Sequence, residues 1–404
     1  MNCQARSFIC FLLLALSLAA SSKIAANTFA PPPYYAKDSF DNNHPSIDTL
    51  PVAEKNYREL QGILPIYQDA VLHPWPFVPN TQKLKYGVHN SSVPLLRARL
   101  AGSHDLVMTY DLNNHFFDDE LEAAVEKFQR LHGLKVDGVV GKATLDELNV
   151  PAAVRLNQIE VNMQRWKELS PQLSDRFIMV NVPDFELYVF ENNIKVLSMK
   201  AIVGKPDRQT PELTSRVTRL VFNPPWSVPP MIAKKDIVPK VLDNPDYLDE
   251  MHIRIFTRQG DPSEEVNPYE VDWSAAKENG FPYYFRQEPG MDNALGMVKF
   301  EFPNSKNVYL HDTPAKELFD QDIRTFSSGC IRLENPFELV DYLMKNDPKW
   351  DEVRMQDLLD SGRTAYVKAT RPTPIFITYI TAWVDENGEI NFRDDVYGKD
   401  SQME

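Results

Sequence analysis

The sequence predicts a multidomain α+β chain: a small three-helix domain, then a mostly β domain interrupted by a long insertion. Three observations carry this. Apolar residues recur at three- and four-residue steps from Leu121 to Leu131, the period of one helix face. From Arg176 the chain changes to runs rich in β-branched and aromatic residues, such as FIMVNVPDFELYVFENNIKVLSMKAIVG, which suit strands. Between Pro229 and Gly290 it turns polar and irregular for about 60 residues. Loops beyond about 12–15 residues are uncommon within a compact domain, so this stretch reads as an inserted element.

Composition sets the outer bounds. The balance of 43 Lys+Arg against 57 Asp+Glu gives a net charge of −14, which argues against a chain held on nucleic acid by net positive charge. With 43% hydrophobic and 25% charged residues the chain can bury real cores. Its 404 residues include 31 prolines and only 15 glycines. Average usage is about 5% and 7%, so the bias is toward stiff connections.

Taken in order, residues 1–26 read as a secretory signal peptide: Arg6, an apolar run from Phe8 to Ala20, then small residues with cleavage near Ala20 or Ala26. The run is shorter than the ~20 residues of a spanning helix, so no stable membrane insertion is expected after cleavage. Residues 27–50, with PPPYY and DNNHPS, read as an extended linker. Residues 51–89 form a helical scaffold segment, periodic from Val52 to Leu72 with a break or kink expected at Pro65, then a proline-rich HPWPFVPN.

Residues 90–150 form the three-helix unit, with Leu95, Leu96 and Leu100 as a first apolar face. Asp119 and Glu122 give a helix start, Leu121, Ala124, Val125, Phe128 and Leu131 a buried stripe, and Gly133 a stop. Residues 151–175 read as a connecting helix patterned by Val154, Ile159, Met163 and Trp166. The β domain spans 176–370, with a hairpin turn at Glu191-Asn192-Asn193, the insertion over 229–290, and strands resuming at ALGMVKFEF and NVYLHD. Two helices, NPFELVDYLMKN and DEVRMQDLLDSG, precede a closing hairpin and tail over 371–404 turned at Glu386-Asn387-Gly388.

Cysteine usage is informative. Cys3 and Cys10 fall in the expected signal, with no lipoprotein-type arrangement at its end, so Cys330 is the only thiol of the mature chain. A lone exported cysteine is an inert hydrophobe, an intermolecular crosslinker or a reactive thiol. Its neighbourhood, YLHDTPAKELFDQDIRTFSSGCIRLEN, places His311 19 positions upstream. A thiol of ordinary pKa needs a base or positive charge to act as a nucleophile at neutral pH. His311 supplies the base and Arg332 the charge, while Ser327, Ser328 and Gly329 leave room for a carbonyl beside backbone N–H groups. The eight histidines are scattered, with no H-x-x-E-H or H-E-x-x-H spacing, so no metal and no cofactor is expected.

Two stretches resemble known families. FQRLHGLKVDGVVGKATLDEL is similar to the peptidoglycan-binding type 1 domain, and H-D-T-P followed by S-S-G-C-I-R resembles the YkuD-type L,D-transpeptidases, nearest the YcbB-like branch. VGKPDRQTP, NPPWSVPP, VDWS and KFEFPNSKNVYLHDTP extend the second resemblance over most of residues 176–395. Ser328 stands where the YkuD pattern usually has histidine, although the YcbB branch carries serine there. The chain also has less scaffold before residue 90 than the fullest members.

The resemblance implies a peptidoglycan-binding-like domain, a YkuD-like catalytic domain with an inserted capping subdomain, and a periplasmic enzyme. It makes Cys330 the nucleophile and His311 the general base, with a ring nitrogen held by a backbone carbonyl of residues 327–329. It makes Gly329 and Cys330 N–H groups, with Tyr309, the oxyanion donors. Arg332, Ser328, Ser327 and Trp226 become substrate contacts. The implied reaction joins meso-diaminopimelate centres 3→3 through a cysteine thioester with release of D-alanine. Its partners are peptidoglycan stem peptides and glycan, with cell-wall synthases as candidates. Two alternatives stay open: an L,D-carboxypeptidase or crosslink hydrolase using the same thiol, and a non-catalytic wall-binding protein.

Overall fold

A computed structural model describes residues 50–79, 83–106, 111–259, 261–275 and 282–401. The expected signal peptide, and the expected linker up to residue 49, lie outside the described residues.

The first helix, α1 (Val52–Leu72), runs unbroken through Pro65, against the expected break. Proline removes one N–H donor and crowds the carbonyl four residues back, but Pro65 and Gln61 both lie on the exposed side of the helix, away from its packed face. The buried face, Leu60, Ile63 and Tyr67, packs elsewhere.

Helices α2 (Val93–Gly102), α3 (Asp119–Leu131) and α4 (Lys142–Leu148) enclose a core of Leu96, Leu100, Leu121, Val125, Phe128 and Leu148. Leu95, expected on the apolar face, is 38% exposed. Asp118, one residue before the expected start, caps α3 by accepting from Leu121 N–H at 3.1 Å. Gly133 follows the helix at φ +64. The FQ…VDG stretch has a clear physical reason: buried Gln129 accepts from Asp137 and Gly138 N–H at 3.0 Å each, and donates to Val139 O and Thr144 Oγ1 at 3.1 Å. One side chain thus holds both the turn and the next helix.

Helix α5 (Ala152–Leu169) is more than a connector. It lies against α1, and Ile159 and Trp166 join Leu60, Ile63 and Tyr67 in a core that continues onto the β domain through Phe177, Met179 and Phe376. Val154, expected in its apolar pattern, is 52% exposed.

The β domain contains β1 (Arg176–Asn181), β2 (Glu186–Glu191), β3 (Ile194–Gly204), β4 (Leu213–Phe222), β5 (Trp226–Ser227), β6 (Ile253–Phe256), β7 (Glu265–Val266) and β8 (Tyr284–Gln287). It continues with β9 (Val298–Glu301), β10 (Leu310–His311), β11 (Thr325–Ser327), β12 (Ile331–Leu333), β13 (Ala365–Thr378), β14 (Ala382–Val384) and β15 (Ile390–Phe392). Asn192 and Asn193 both take positive φ, joining β2 to β3 in a two-residue turn.

Nine strands form one sheet, β11-β3-β12-β10-β9-β4-β13-β1-β2, and a further β2–β3 pairing closes its ring. Its interior holds Val180, Val203, Leu220, Phe300, Leu310, Ile331 and Ile375, plugged by Leu339, Val340 and Leu343 of the helix Pro336–Met344. Along β1 and β13 alternate residues face this interior and the α1/α5 core, so these strands are buried on both sides. The expected domain boundary at 370/371 is corrected: it falls inside β13, which pairs with β4 on one side and in parallel with β1 on the other. Only β14 and β15 form the separate hairpin.

The insertion builds its own core. β5, β8, β6 and β7 form a four-stranded sheet, and Val228, Ile237, Val241, Leu248, Ile255 and Phe285 pack together. Residues 230–243 are helical, with a π-helical turn at Ala233–Ile237.

Candidate active site

The site begins with register. In the parallel β10–β12 pair Leu310 lies opposite Ile331 and His311 opposite Arg332, while antiparallel β9 sets Lys299 opposite His311. Because side chains alternate across a strand, Leu310, Ile331 and Phe300 point into the core. Tyr309, His311, Cys330, Arg332 and Lys299 therefore share the other face, whose adjacent rungs are about 5 Å apart. The apolar residues of the motif fix the polar ones outward.

His311 is 4% exposed. Its Nδ1 donates to Asp312 O at 2.5 Å, which leaves Nε2 with a free lone pair. The expected carbonyl partner within residues 327–329 is thus corrected to that of the next residue, because β10 ends there and turns its peptide toward the ring. Burial, then the Arg332 charge, lowers the imidazole pKa to about 3, so it stands neutral at physiological pH.

Cys330 is half-buried. Burial pushes its thiol pKa up, opposed by hydrogen bonds from the Tyr309 main-chain N–H and hydroxyl and by the charges of Lys299 and Arg332. The resting pair is therefore thiol and neutral imidazole. Burial raises the Tyr309 hydroxyl pKa, opposed by the nearby Trp226 indole N–H, and the Tyr309 ring lies edge-on to His311 with centroids 5.7 Å apart. Lys299 Nζ sits 4.1 Å above the Tyr309 ring and 3.0 Å from Glu301.

The structure separates the other sequence-derived residues by role. Gly329 holds φ +112, which disfavours any side chain, but its N–H donates to Ser327 Oγ at 3.1 Å. Ser327 Oγ also donates to Cys330 O at 2.5 Å. Of the two main-chain groups among the expected oxyanion donors, only the Cys330 N–H has no hydrogen-bond partner among the described residues. Ser328 Oγ accepts from Arg208 at 2.9 Å. Both serines thus hold the loop. Arg332 is half-buried, and its guanidinium has no ion-pair or hydrogen-bond partner among the described residues, its Nε being fully enclosed. Trp226 reaches the site through Tyr309, from the first strand of the insertion's sheet.

Sequence reasoning assigned no role to Lys299, Arg208, Thr210 or Tyr397. Thr210 Oγ1 donates to Gly329 O at 2.9 Å and accepts from Gly204 N–H at 2.9 Å, while Tyr397 Oη donates to Gly204 O at 2.6 Å. The loop carrying Arg208 and Thr210 is VGKPDRQTP, a stretch already conspicuous in the sequence. Beside Tyr309 a groove of about 630 Å³ opens across β4 and β9, lined by Arg219, Lys299, Glu301, Asn304 and Lys368 among others. Among the described residues no group of His, Cys, Asp and Glu is placed to hold a metal ion, and no helix is long and apolar enough to cross a membrane.

Residues 175–355 match the L,D-transpeptidase catalytic domain (YkuD), and residues 89–148 match the "Putative peptidoglycan binding domain". A curated Haemophilus influenzae protein described as "Putative L,D-transpeptidase" is 38% identical over 226 residues, covering 56% of this chain and 45% of that protein. The chain thus spans less than half the length of that relative. Among solved structures, an L,D-transpeptidase from Xylanimonas cellulosilytica is 13% identical with a TM-score of 0.24, covering 74% of this chain and 99% of that one. One from Mycobacterium smegmatis is 15% identical with a TM-score of 0.25, covering 50% and 58%.

Proposed function

We propose that this chain, which carries an L,D-transpeptidase catalytic domain beside a peptidoglycan-binding domain, is a cysteine acyltransferase forming 3→3 crosslinks between peptidoglycan stems. The observation that supports it most is the shared face of β10 and β12, where a half-exposed thiol, a neutral imidazole and a tyrosine hydroxyl converge beside an open groove.

The chemistry runs from those atoms. As Cys330 attacks the carbonyl between meso-diaminopimelate and terminal D-alanine, the lone pair of His311 Nε2 takes the thiol proton. The Asp312 carbonyl, holding Nδ1–H, steadies the imidazolium so formed. Cys330 N–H and the Tyr309 hydroxyl stabilise the oxyanion. The imidazolium returns its proton to the departing amine, leaving a thioester. A second stem amine then attacks, gives its proton to His311 and displaces the sulfur, so no nucleotide is consumed. Arg332, a half-buried cation with no ion-pair or hydrogen-bond partner among the described residues, suits a stem carboxylate. This reading places the protein outside the cytoplasm, exported by residues 1–26 to the periplasm, with cell-wall synthases as candidate partners.

Intact-mass measurement after carbapenem exposure tests the nucleophile: one adduct on the wild type, none on Cys330→Ala. An adduct retained by the alanine variant removes Cys330 from the reaction. Products from purified tetrapeptide stems then separate transfer, which gives dimers, from hydrolysis, which gives shortened monomers.

A further inference from the structure

We infer that Arg208 is a positioning residue that couples the inserted cap to the nucleophile loop, a role that rests on the cysteine acyltransferase reading of the same site. The loop bearing Arg208 grips three consecutive residues before the nucleophile. Lys205 N–H donates to Ser327 O at 3.0 Å, Arg208 Nη1 to Ser328 Oγ at 2.9 Å, and Thr210 Oγ1 to Gly329 O at 2.9 Å. Two of these grips, those of Lys205 and Thr210, stay within the β domain. The third does not. The same guanidinium makes a two-pronged pair with Asp236 of the cap, Nη1 to Oδ2 at 2.5 Å and Nη2 to Oδ1 at 3.2 Å.

Two further observations assign this contact a purpose beyond packing. Asp236 lies in the π-helical turn Ala233–Ile237, between two α-helical stretches. Such bulges cost regular hydrogen bonding and cluster at functional sites, and this one sits where the cap meets Arg208. The pairing is also bidentate, a geometry that arginine gives and lysine does not. The Arg208 side chain is only 9% exposed with the cap in place, and its other neighbours are Ser328 Oγ at 2.9 Å and Asp207, whose Oδ2 lies 3.7 Å from Nε, so moving the cap away breaks the two-pronged pair and frees the guanidinium to shift from Ser328. Cap position and Ser328 orientation are thus linked through one rigid group. Ser328 precedes Gly329 and Cys330, so a cap seated by its substrate sets the nucleophile and its N–H, and a displaced cap loosens both. Trp226, at the cap's edge, makes a second contact through Tyr309.

Coupling of this kind is reciprocal, and that supplies the test. Hydrogen exchange of the full chain is followed in segments 231–243 and 325–331 for the wild type, Asp236→Asn, Ser328→Ala and Arg208→Lys. Asp236→Asn is expected to speed exchange at least fivefold in 325–331, and Ser328→Ala to do the same in 231–243, with α3 unchanged. Arg208→Lys should loosen both. Each change confined to its own segment overturns the inference. With tetrapeptide stems, Asp236→Asn should lower the ratio of dimer to shortened monomer at least threefold while alkylation of Cys330 by iodoacetamide stays within twofold. An unchanged ratio also overturns it. A wild type that makes neither product sinks the acyltransferase reading instead, while the exchange result still decides the coupling.

Discussion

Replacing Tyr309 with phenylalanine isolates one hydrogen bond at the sulfur. The hydroxyl and main-chain N–H of Tyr309 both donate to Cys330 and oppose the rise in its pKa caused by burial. Tyr309→Phe removes only the hydroxyl and keeps the ring under Lys299. A hydrogen bond to a charged acceptor is worth about 1.5–3 kcal/mol, or about 13- to 150-fold in thiolate population at 1.36 kcal/mol per decade. A more basic thiolate is also a better nucleophile, which returns roughly 0.4–0.5 of the loss on a logarithmic scale. The net expectation is a fall of about 4- to 16-fold in reaction with an aromatic disulfide at pH 8. The assay is the initial rate of thiol release under excess reagent, in a chain with Cys3 and Cys10 changed to serine so that Cys330 alone reports. A rate within twofold of the parent, or above it, refutes the claim that this hydroxyl supports the thiolate.

Because the His311 imidazole, its pKa near 3, is already neutral at pH 5, no thiolate–imidazolium pair precedes substrate. The same disulfide rate should therefore rise steadily with pH from 5 to 9, and a plateau reached below pH 7 contradicts this. The same depressed value costs stability as pH falls: the unfolded imidazole binds its proton near pH 6.5, the folded one only near 3. Urea titrations should show about 3 kcal/mol of stability lost by pH 4 from this residue, and His311→Gln should lack that component. In the three-helix domain, Gln129→Leu leaves the Asp137 and Gly138 N–H groups without the acceptor they share. At about 1–3 kcal/mol for each stranded group, local opening of residues 119–148 should become at least 10-fold more frequent by hydrogen exchange, with the β sheet unaffected.

Much of this architecture is written locally. The Asn192-Asn193 turn, the stripe from Leu121 to Leu131 and the strand alternation around Leu310 and Ile331 each depend on neighbours within a few residues. The motif around Cys330 likewise announces the thiol and imidazole that the proposed function pairs. What eluded sequence reasoning depends on distant segments meeting. Arg208 and Ser328 are 120 positions apart, and Tyr397 and Gly204 are 193 apart. A lone arginine or tyrosine carries no mark of such a partner. His311 shows the opposite failure: its nitrogen finds the carbonyl of the next residue, a choice set by backbone direction at the end of a two-residue strand. Pro65 shows that a local rule yields on the exposed side of a helix whose opposite face is packed.

Strand β13 sits between β1 and β4, although some 140 residues of chain separate it from the latter. Synthesis proceeds from the amino end, so the barrel's keystone arrives late. Thiol and imidazole exist well before any wall can hold them, and a polypeptide interrupted ahead of residue 378 has both reagents and no vessel. Tyr397 adds a final latch over Gly204. Reactivity is thereby deferred to the finished molecule, and proteolytic nicking near residue 370 should silence the sulfur without touching it.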